Sequence, residues 1–206
     1  AAVLADPRFA DIKPDWAFAI HNMPGTALGA ALLTSGPVNC ASMGLKITLT
    51  GKTAHASQPE AGTSPAPALA ALIPALQALG TGGALHPDYR LVTLTHARLG
   101  EPAFGIAPGH AEIWATLRTL TDDRMAALLH AATDLARHHA AAHGLGLTLG
   151  QHDVFHACTN DPLATAHLQT ACDALGIATA SDDLPMRASE DFCRFGHDGT
   201  RSAMLF

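Results

Sequence analysis

The chain has 206 residues, 48% of them apolar, and a formal net charge of −6. This length allows either one well-packed core or two modest domains. The acidic balance argues against a nucleic-acid binder, which normally presents a basic face. No apolar run approaches the ~20 residues that span a bilayer. We therefore expect a soluble, globular protein with neither nucleic acid nor membrane as a partner.

The cysteines predict neither a metal knuckle nor a disulfide framework. Cys40, Cys158, Cys172 and Cys193 are far apart and include no C-x-x-C pair. The N-terminus also lacks the charged, apolar and small-residue order of a signal peptide. We expect four reduced thiols in a cytoplasmic protein.

The first predicted element is a short buried strand over the apolar run at 16–20. It ends in the sequence HNMPG (21–25), whose proline and glycine predict a turn. His21 therefore lies at the carboxyl end of a strand, where α/β sheets bind their ligands. The alternative is a histidine that only hydrogen-bonds within the turn.

The middle of the chain predicts a compact α+β unit. Alternating apolar residues predict strands over about 44–50, 90–98, 111–120 and 145–149, and helical spacing predicts helices over about 65–79 and 122–143. The order β-α-β-β-α-β is the split βαβ, ferredoxin-like arrangement.

A loop with one histidine follows the first strand of this unit. Its sequence is GKTAHASQP (51–59), in which small residues surround His55 and leave room for a ligand. Gly51 ends the strand, and Ser64 and Pro65 predict the N-cap and first residue of the next helix. His55 is thus displayed on a loop between strand and helix, a common place for binding residues. A bystander or an internally hydrogen-bonded histidine is the alternative.

The chain has thirteen histidines, and most show no ligand spacing. His138, His139 and His143 share the second helix of the unit, but no H-E-x-x-H zinc pattern joins them. A solvated helix face is therefore favoured over a metal site there.

The C-terminal part predicts one more helix. Asp161 and Pro162 indicate its N-cap and first turn, Gly176 ends it, and 177–180 is a candidate strand. The tetrapeptide SEDF (189–192) is by itself typical of a helix start.

Four stretches resemble, in order, the M20 family of metallopeptidases and amidohydrolases. They are HNMPG (21–25), GKTAHAS with Pro59 (51–59), TLRT (116–119) and SEDF (189–192). The resemblance implies an α+β ferredoxin-like lid or dimerisation domain inserted between segments of an α/β metallohydrolase catalytic domain. The implied boundaries are 1–42 and 156–206 for the catalytic segments and 43–155 for the lid.

The resemblance also implies residue roles. His21 would bind one of two divalent ions, and imidazole suits zinc, manganese, nickel or cobalt. His55 would be catalytic, donating a hydrogen bond to the oxyanion, and Arg118 would bind the substrate carboxylate. The implied reaction is hydrolysis of the amide bond of N-acyl amino acids or small peptides by a homodimer that pairs through the lid. The SEDF stretch would line the metal site.

The chain departs from the family pattern in three places. The family's Cys-x-His and Glu-Glu residues are missing, its last histidine ligand lies beyond SEDF, and His197 follows too soon to replace it. Gly105 also stands where many members carry a substrate-binding asparagine. We therefore expect an incomplete, inactive chain that need not retain its metal ions. The alternative is a non-catalytic ferredoxin-like dimerisation or ligand-binding module.

Overall fold

The computed structural model describes residues 2–206, with the side chains of residues 2, 197 and 198 outside the description. Within that range the α-helices are α1 (Ala2–Ala5), α2 (Ala66–Gln77), α3 (Asp122–Ala142) and α4 (Pro162–Leu175). The strands are β1 (Trp16–Ile20), β2 (Ala30–Leu32), β3 (Gly36–Asn39), β4 (Ala41–Thr50), β5 (Ala54–His55), β6 (Arg90–Leu99), β7 (Ile106–Ala107), β8 (His110–Thr119), β9 (Gly146–Phe155), β10 (Cys158–Asn160), β11 (Ala178–Ala180) and β12 (Arg201–Leu205). Short 3-10 helices cover Pro7–Asp11, Pro59–Ala61 and Phe192–Asp198.

The chain divides into two compact units. One consists of Ser42–Val154 and is called the central unit below. The other combines the residues up to Ala41 with Phe155–Phe206 and is called the flanking unit. Each has buried apolar residues of its own.

The central unit is one four-stranded sheet with two helices. The strand order is β6-β8-β4-β9, and β6 pairs antiparallel with β8. Along β4, Leu45, Ile47 and Leu49 are buried while the residues between them are half-exposed, as alternation in a one-sided sheet requires. Helices α2 and α3 contact each other and the sheet, so they cover its apolar face. Along the chain these elements follow as strand, helix, strand, strand, helix, strand.

The predicted elements of this unit are confirmed, with shifted ends. Strand β9 continues to Phe155, beyond the alternating leucines that predicted it. The N-cap of α2 is Pro65, not Ser64 as predicted. Ser64 still provides a partner for one backbone N–H of the first turn, because its hydroxyl accepts a hydrogen bond from the N–H of Ala66 at 3.3 Å.

The flanking unit is built from strand pairs around helix α4. β1 pairs parallel with β12, β2 pairs parallel with β11, and β3 pairs antiparallel with β10. Asp161 caps α4 by accepting from the N–H groups of Leu163 and Ala164, at 2.9 and 3.0 Å. One core cluster contains Leu32, Val38, Cys158, Cys193, Met204 and Phe206.

Strand β1 lies where it was predicted, but its prediction as a buried strand is wrong. Trp16, Phe18 and Ile20 are 37%, 44% and 81% exposed. The alternate residues Ala17 and Ala19 are half-buried, and Ala19 packs on the core cluster. The larger side chains therefore point away from the core, because β1 alternates and only small residues face inward.

The prediction of four reduced thiols is wrong for two of them. Cys158 and Cys193 are paired as a disulfide, with Cα atoms 5.1 Å apart. Cys40 and Cys172 are buried and are not part of this disulfide. The pair is 35 residues apart in sequence, so only long-range packing brings it together.

None of the helices in the described range is long and apolar enough to cross a bilayer.

Candidate functional site

His21 directly follows strand β1 and is held by backbone and side-chain hydrogen bonds. Its backbone N–H donates to the carbonyl of Leu205 at 2.9 Å. Its Nδ1 lies 2.9 Å from the carbonyl oxygen of Asn22. Because a carbonyl only accepts, Nδ1 carries the proton and Nε2 of the neutral ring presents a lone pair.

The Nε2 atom of His21 faces a carboxylate. Glu190 Oε1 lies 3.4 Å from it, and the two side chains are 44% and 25% exposed. Two groups that both accept hydrogen bonds repel at this distance unless a proton or a cation lies between them. The pair is thus suited to hold a positive charge.

The loop that carries His55 is fixed by backbone contacts. Strand β5 pairs with β7, which places His55 opposite Ile106. The N–H of Gly51 donates to the carbonyl of Gly109 at 2.7 Å, and Lys52 and Thr63 exchange two hydrogen bonds, at 3.0 and 2.8 Å. A Cβ on Gly51 would lie 1.9 Å from the carbonyl oxygen of Thr63, so this approach requires glycine.

The ring of His55 is exposed, but one of its nitrogens is engaged. Nδ1 accepts from the N–H of Ser57 at 3.2 Å and lies 2.8 Å from the hydroxyl of the same residue. Because Nδ1 is engaged with Ser57, Nε2 is the ring nitrogen suited to contact a ligand. An exposed ring N–H on a rigid loop can donate to a ligand oxygen.

Arg118 is half-buried on β8, opposite Leu91 of β6. Alternation places it on the same sheet face as Thr116 and Trp114. Thr116 and Trp114 line a cavity of about 380 Å³, together with Gly44, Leu45, Lys46, Thr95, Ala115, His152 and Asp153. This is the sheet face that α2 and α3 leave open.

A carboxylate organises that open face. Glu112 Oε1 lies 2.9 Å from Lys46 Nζ, and Lys46 also lies over the ring of Trp114, 5.3 Å from its centroid. The hydrogen bond from Lys46 is the largest cause that lowers the pKa of Glu112, and a hydrogen bond from Trp114 adds to it. The ionised form of Glu112 is therefore favoured, and it pairs with Lys46 on this face.

Gly105, which the resemblance implies stands at the family's asparagine position, lies beside His55. Its carbonyl accepts from the N–H of Ala56 at 3.0 Å. A Cβ built on Gly105 meets nothing within 4 Å. The loop thus has open space where an asparagine side chain would lie.

The other histidines were also candidates for metal ligands. Among the described residues, no group of three or more His, Cys, Asp or Glu side chains could hold a metal ion. His138 and His143 are exposed and His139 is half-buried. Burial, His138 and His143 together lower the pKa of His139. The side chain of His197, the alternative ligand candidate, lies outside the described residues.

The structure brings His21 and Glu190 together, whereas His55 and Arg118 belong to the central unit. Sequence reasoning placed Glu190 near the metal only through the SEDF resemblance, since no spacing links it to His21. It assigned no role to Ser57. The His-x-Ser spacing within a turn was the available signal, because short polar side chains there bond to nearby groups.

Two curated proteins are similar to this chain. An N-acetyl-L-cysteine deacetylase of Bacillus subtilis is 25% identical over 181 residues, which are 88% of this chain and 43% of that protein. An N-acetyldiaminopimelate deacetylase of Geobacillus thermodenitrificans is 28% identical over 160 residues, which are 77% of this chain and 42% of that protein. The chain thus spans less than half the length of the curated relatives that it matches.

Solved structures share its fold. A dinuclear metal-binding peptidase of the M20 family from Bacillus subtilis matches with a TM-score of 0.72 and 20% identity, over 91% of this chain and 46% of that one. An aminobenzoyl-glutamate utilization protein from Klebsiella pneumoniae matches with a TM-score of 0.77 and 18% identity, over 93% and 49%.

The family match falls on the central unit. Residues 39–144, half of the chain, match the peptidase dimerisation domain of the M20 family. This range contains strands β4, β6 and β8 of the four-stranded sheet but not β9, together with both packed helices and the His55 loop. The chain therefore belongs to the M20 peptidase family and carries its dimerisation domain.

Proposed function

We propose that this chain is part of a metal-dependent amidohydrolase that cleaves the amide bond of N-acyl amino acids or small peptides. The observation that carries the proposal is the facing pair of His21 Nε2 and Glu190 Oε1, 3.4 Å apart. The names of the relatives, two of them deacetylases of N-acetylated amino acids, support the same reaction class.

The donor set at His21 fits a divalent ion. The Nδ1–H bond to Asn22 fixes the ring in the tautomer that metal-binding histidines use. A carboxylate beside the free Nε2 is a second suitable donor or a hydrogen-bond acceptor for a ligand of the ion. Two divalent ions are proposed for the intact enzyme, as in the dinuclear relative. When bound, such ions would polarise the amide carbonyl and acidify water.

His55 and Arg118 would act on the substrate. The exposed Nε2–H of His55 would donate to the carbonyl oxygen as negative charge develops on it. Arg118 would fork two N–H donors onto the substrate carboxylate, which a lysine does less well. The cavity two residues along β8 from Arg118 offers space for the rest of a substrate.

The architecture proposed is a ferredoxin-like lid, 43–155, inserted between catalytic-domain segments 1–42 and 156–206. The strand order β6-β8-β4-β9 and the order of helices and strands support it. A homodimer through the lid is proposed from the dimerisation-domain match. The inactivity of this chain alone is part of the proposal, because the family's remaining ligands and base are not in its sequence. A cytoplasmic location stays a prediction.

One observation favours the alternative, a non-catalytic dimerisation or ligand-binding module. The central unit has its own core and coincides with the match to a dimerisation domain. An assay of amide hydrolysis by the full-length protein distinguishes the two: activity supports the amidohydrolase, and its absence supports the non-catalytic module.

The test is release of free amino acid from a panel of N-acetyl and N-benzoyl amino acids by the full-length protein. We expect release that a chelator abolishes and a divalent metal restores. His86→Gln is the matched control, since His86 occupies a similar turn with no proposed role, and it should leave release unchanged. Metal-loaded protein that hydrolyses no member of the panel, or release that survives chelation, would contradict the proposal.

A further inference from the structure

In the turn that carries His55, one backbone N–H group contacts the histidine ring instead of closing the turn. The N–H of Gln58 donates to the carbonyl of His55 at 2.9 Å and closes the turn. The backbone N–H of Ser57, the residue before Gln58, takes no part in this closing hydrogen bond. It donates to His55 Nδ1 at 3.2 Å, and the Ser57 hydroxyl lies 2.8 Å from the same nitrogen.

The backbone contact determines which ring nitrogen carries the proton. A backbone N–H can only donate, so Nδ1 of His55 must offer its lone pair. The hydroxyl can donate to the same nitrogen, so that two donors of Ser57 share one acceptor. The neutral ring then carries its proton on Nε2, the nitrogen that Ser57 does not contact.

We propose that Ser57 is a positioning residue that holds His55 in the Nε2–H tautomer and fixes the direction of that donor. The tautomer follows from the turn geometry alone. The consequence for catalysis rests on the proposed function, in which Nε2–H donates to the developing oxyanion. A ring in the other tautomer would present a lone pair there and repel the oxyanion.

The same chain contains a turn that separates the contributions of the backbone and the hydroxyl. At His86, the N–H of Tyr89 donates to the His86 carbonyl at 2.9 Å, and the N–H of Asp88 donates to His86 Nδ1 at 3.2 Å. The Asp88 side chain is engaged with Arg124 instead. His86 therefore has the backbone contact without a hydroxyl, and it serves as an internal reference.

The experiment is ¹⁵N NMR of the imidazole nitrogens in this chain, at about pH 9, where ordinary imidazoles are neutral. His55→Gln and His86→Gln assign the two rings by difference. We expect an unprotonated Nδ1 and a protonated Nε2 for His55. In Ser57→Ala the His55 signals should move toward those of His86, and Ser57→Thr, which keeps the hydroxyl, should restore them. A wild-type His55 protonated on Nδ1, or a Ser57→Ala spectrum identical to wild type, would overturn the proposal.

Kinetics of the full-length protein test the consequence. Losing one neutral hydrogen bond that orients the donor should lower kcat about threefold to tenfold in Ser57→Ala with KM unchanged, and Ser57→Thr should recover it. Equal kcat in wild type and Ser57→Ala would overturn the positioning role. If the protein hydrolyses no amide at all, the proposed function fails, whereas the NMR result still decides the tautomer.

Discussion

Two isoleucines on two strands show how differently the units of this chain are covered. Ile47 on β4 is fully buried between the sheet and its helices, whereas Ile20 on β1 is 81% exposed. Both belong to apolar strand sequences. The central unit buries the apolar side of β4 within Ser42–Val154. In the flanking unit the large side chains of β1 are only partly covered, and Ile20 is the most exposed of them.

This contrast predicts unequal costs for the same substitution. Ile47→Ala removes buried methylene groups from a closed core and should lower the free energy of unfolding by about 2–5 kcal/mol. Ile20→Ala removes exposed atoms and should change it by less than about 0.5 kcal/mol. Chemical denaturation of the two variants measures both values. Equal losses would mean that β1 is covered in solution.

A second pair of variants tests how tightly the His55 loop is packed. Gly51→Ala would force a Cβ to within 1.9 Å of the Thr63 carbonyl oxygen and should cost about 1–3 kcal/mol. Gly105→Ala, in the facing loop, meets no atom within 4 Å and should be within about 0.5 kcal/mol of wild type. Thermal unfolding compares them. A loss of stability in Gly51→Ala as small as that in Gly105→Ala would show that the loop is packed less tightly than the structure indicates.

The smallest expected difference lies between two helix caps. In the flanking unit, the backbone N–H groups of Ala164 and Leu163, with Arg201, lower the pKa of Asp161. In the central unit, α3 is capped by the neutral hydroxyl of Thr121, which accepts from the N–H of Arg124. Asp161 therefore contributes stability above its unfolded pKa of about 3.9, and this is lost as pH falls through its lower folded pKa.

The pH dependence of amide exchange measures that difference. Protection of α4 should decrease between about pH 5 and pH 2, and Asp161→Asn, which still caps, should remove the part of the decrease that Asp161 causes. Thr121 adds no such dependence to α3. An unchanged α4 profile in Asp161→Asn would assign the pH dependence to other carboxylates.

Much of the fold was readable because its signals are local. Helix α4 carries Asp161 at one end and Gly176 at the other, and both act as predicted. The strands of the central unit alternate over a single covered face. The exposure of β1 could not be predicted from the sequence, because an apolar run does not show which elements pack against it. The pairing of Cys158 with Cys193 depends on long-range packing in the same way.

In the candidate site, too, local features could be predicted from the sequence and long-range contacts could not. The position of His21 after a strand was predicted from local sequence, and its Nδ1 bond to Asn22 is also local. Its role as a metal ligand was implied only by the family resemblance and stays a prediction. The position of Glu190 beside it depends on distant parts of the chain, so spacing could not reveal it. Around His55 both hydrogen-bond contacts of Nδ1 are to Ser57, two residues along the chain, so they are of the kind that local sequence can predict.

The most direct test compares bound metal with turnover in the full-length protein. His21→Ala and His55→Ala are assayed for metal content by elemental analysis and for kcat on an N-acyl amino acid substrate. We predict that His21→Ala loses metal, whereas His55→Ala keeps wild-type metal content with a kcat about 10²–10³ lower. Unchanged metal in His21→Ala, or unchanged turnover in His55→Ala, would contradict the division of roles between the two histidines.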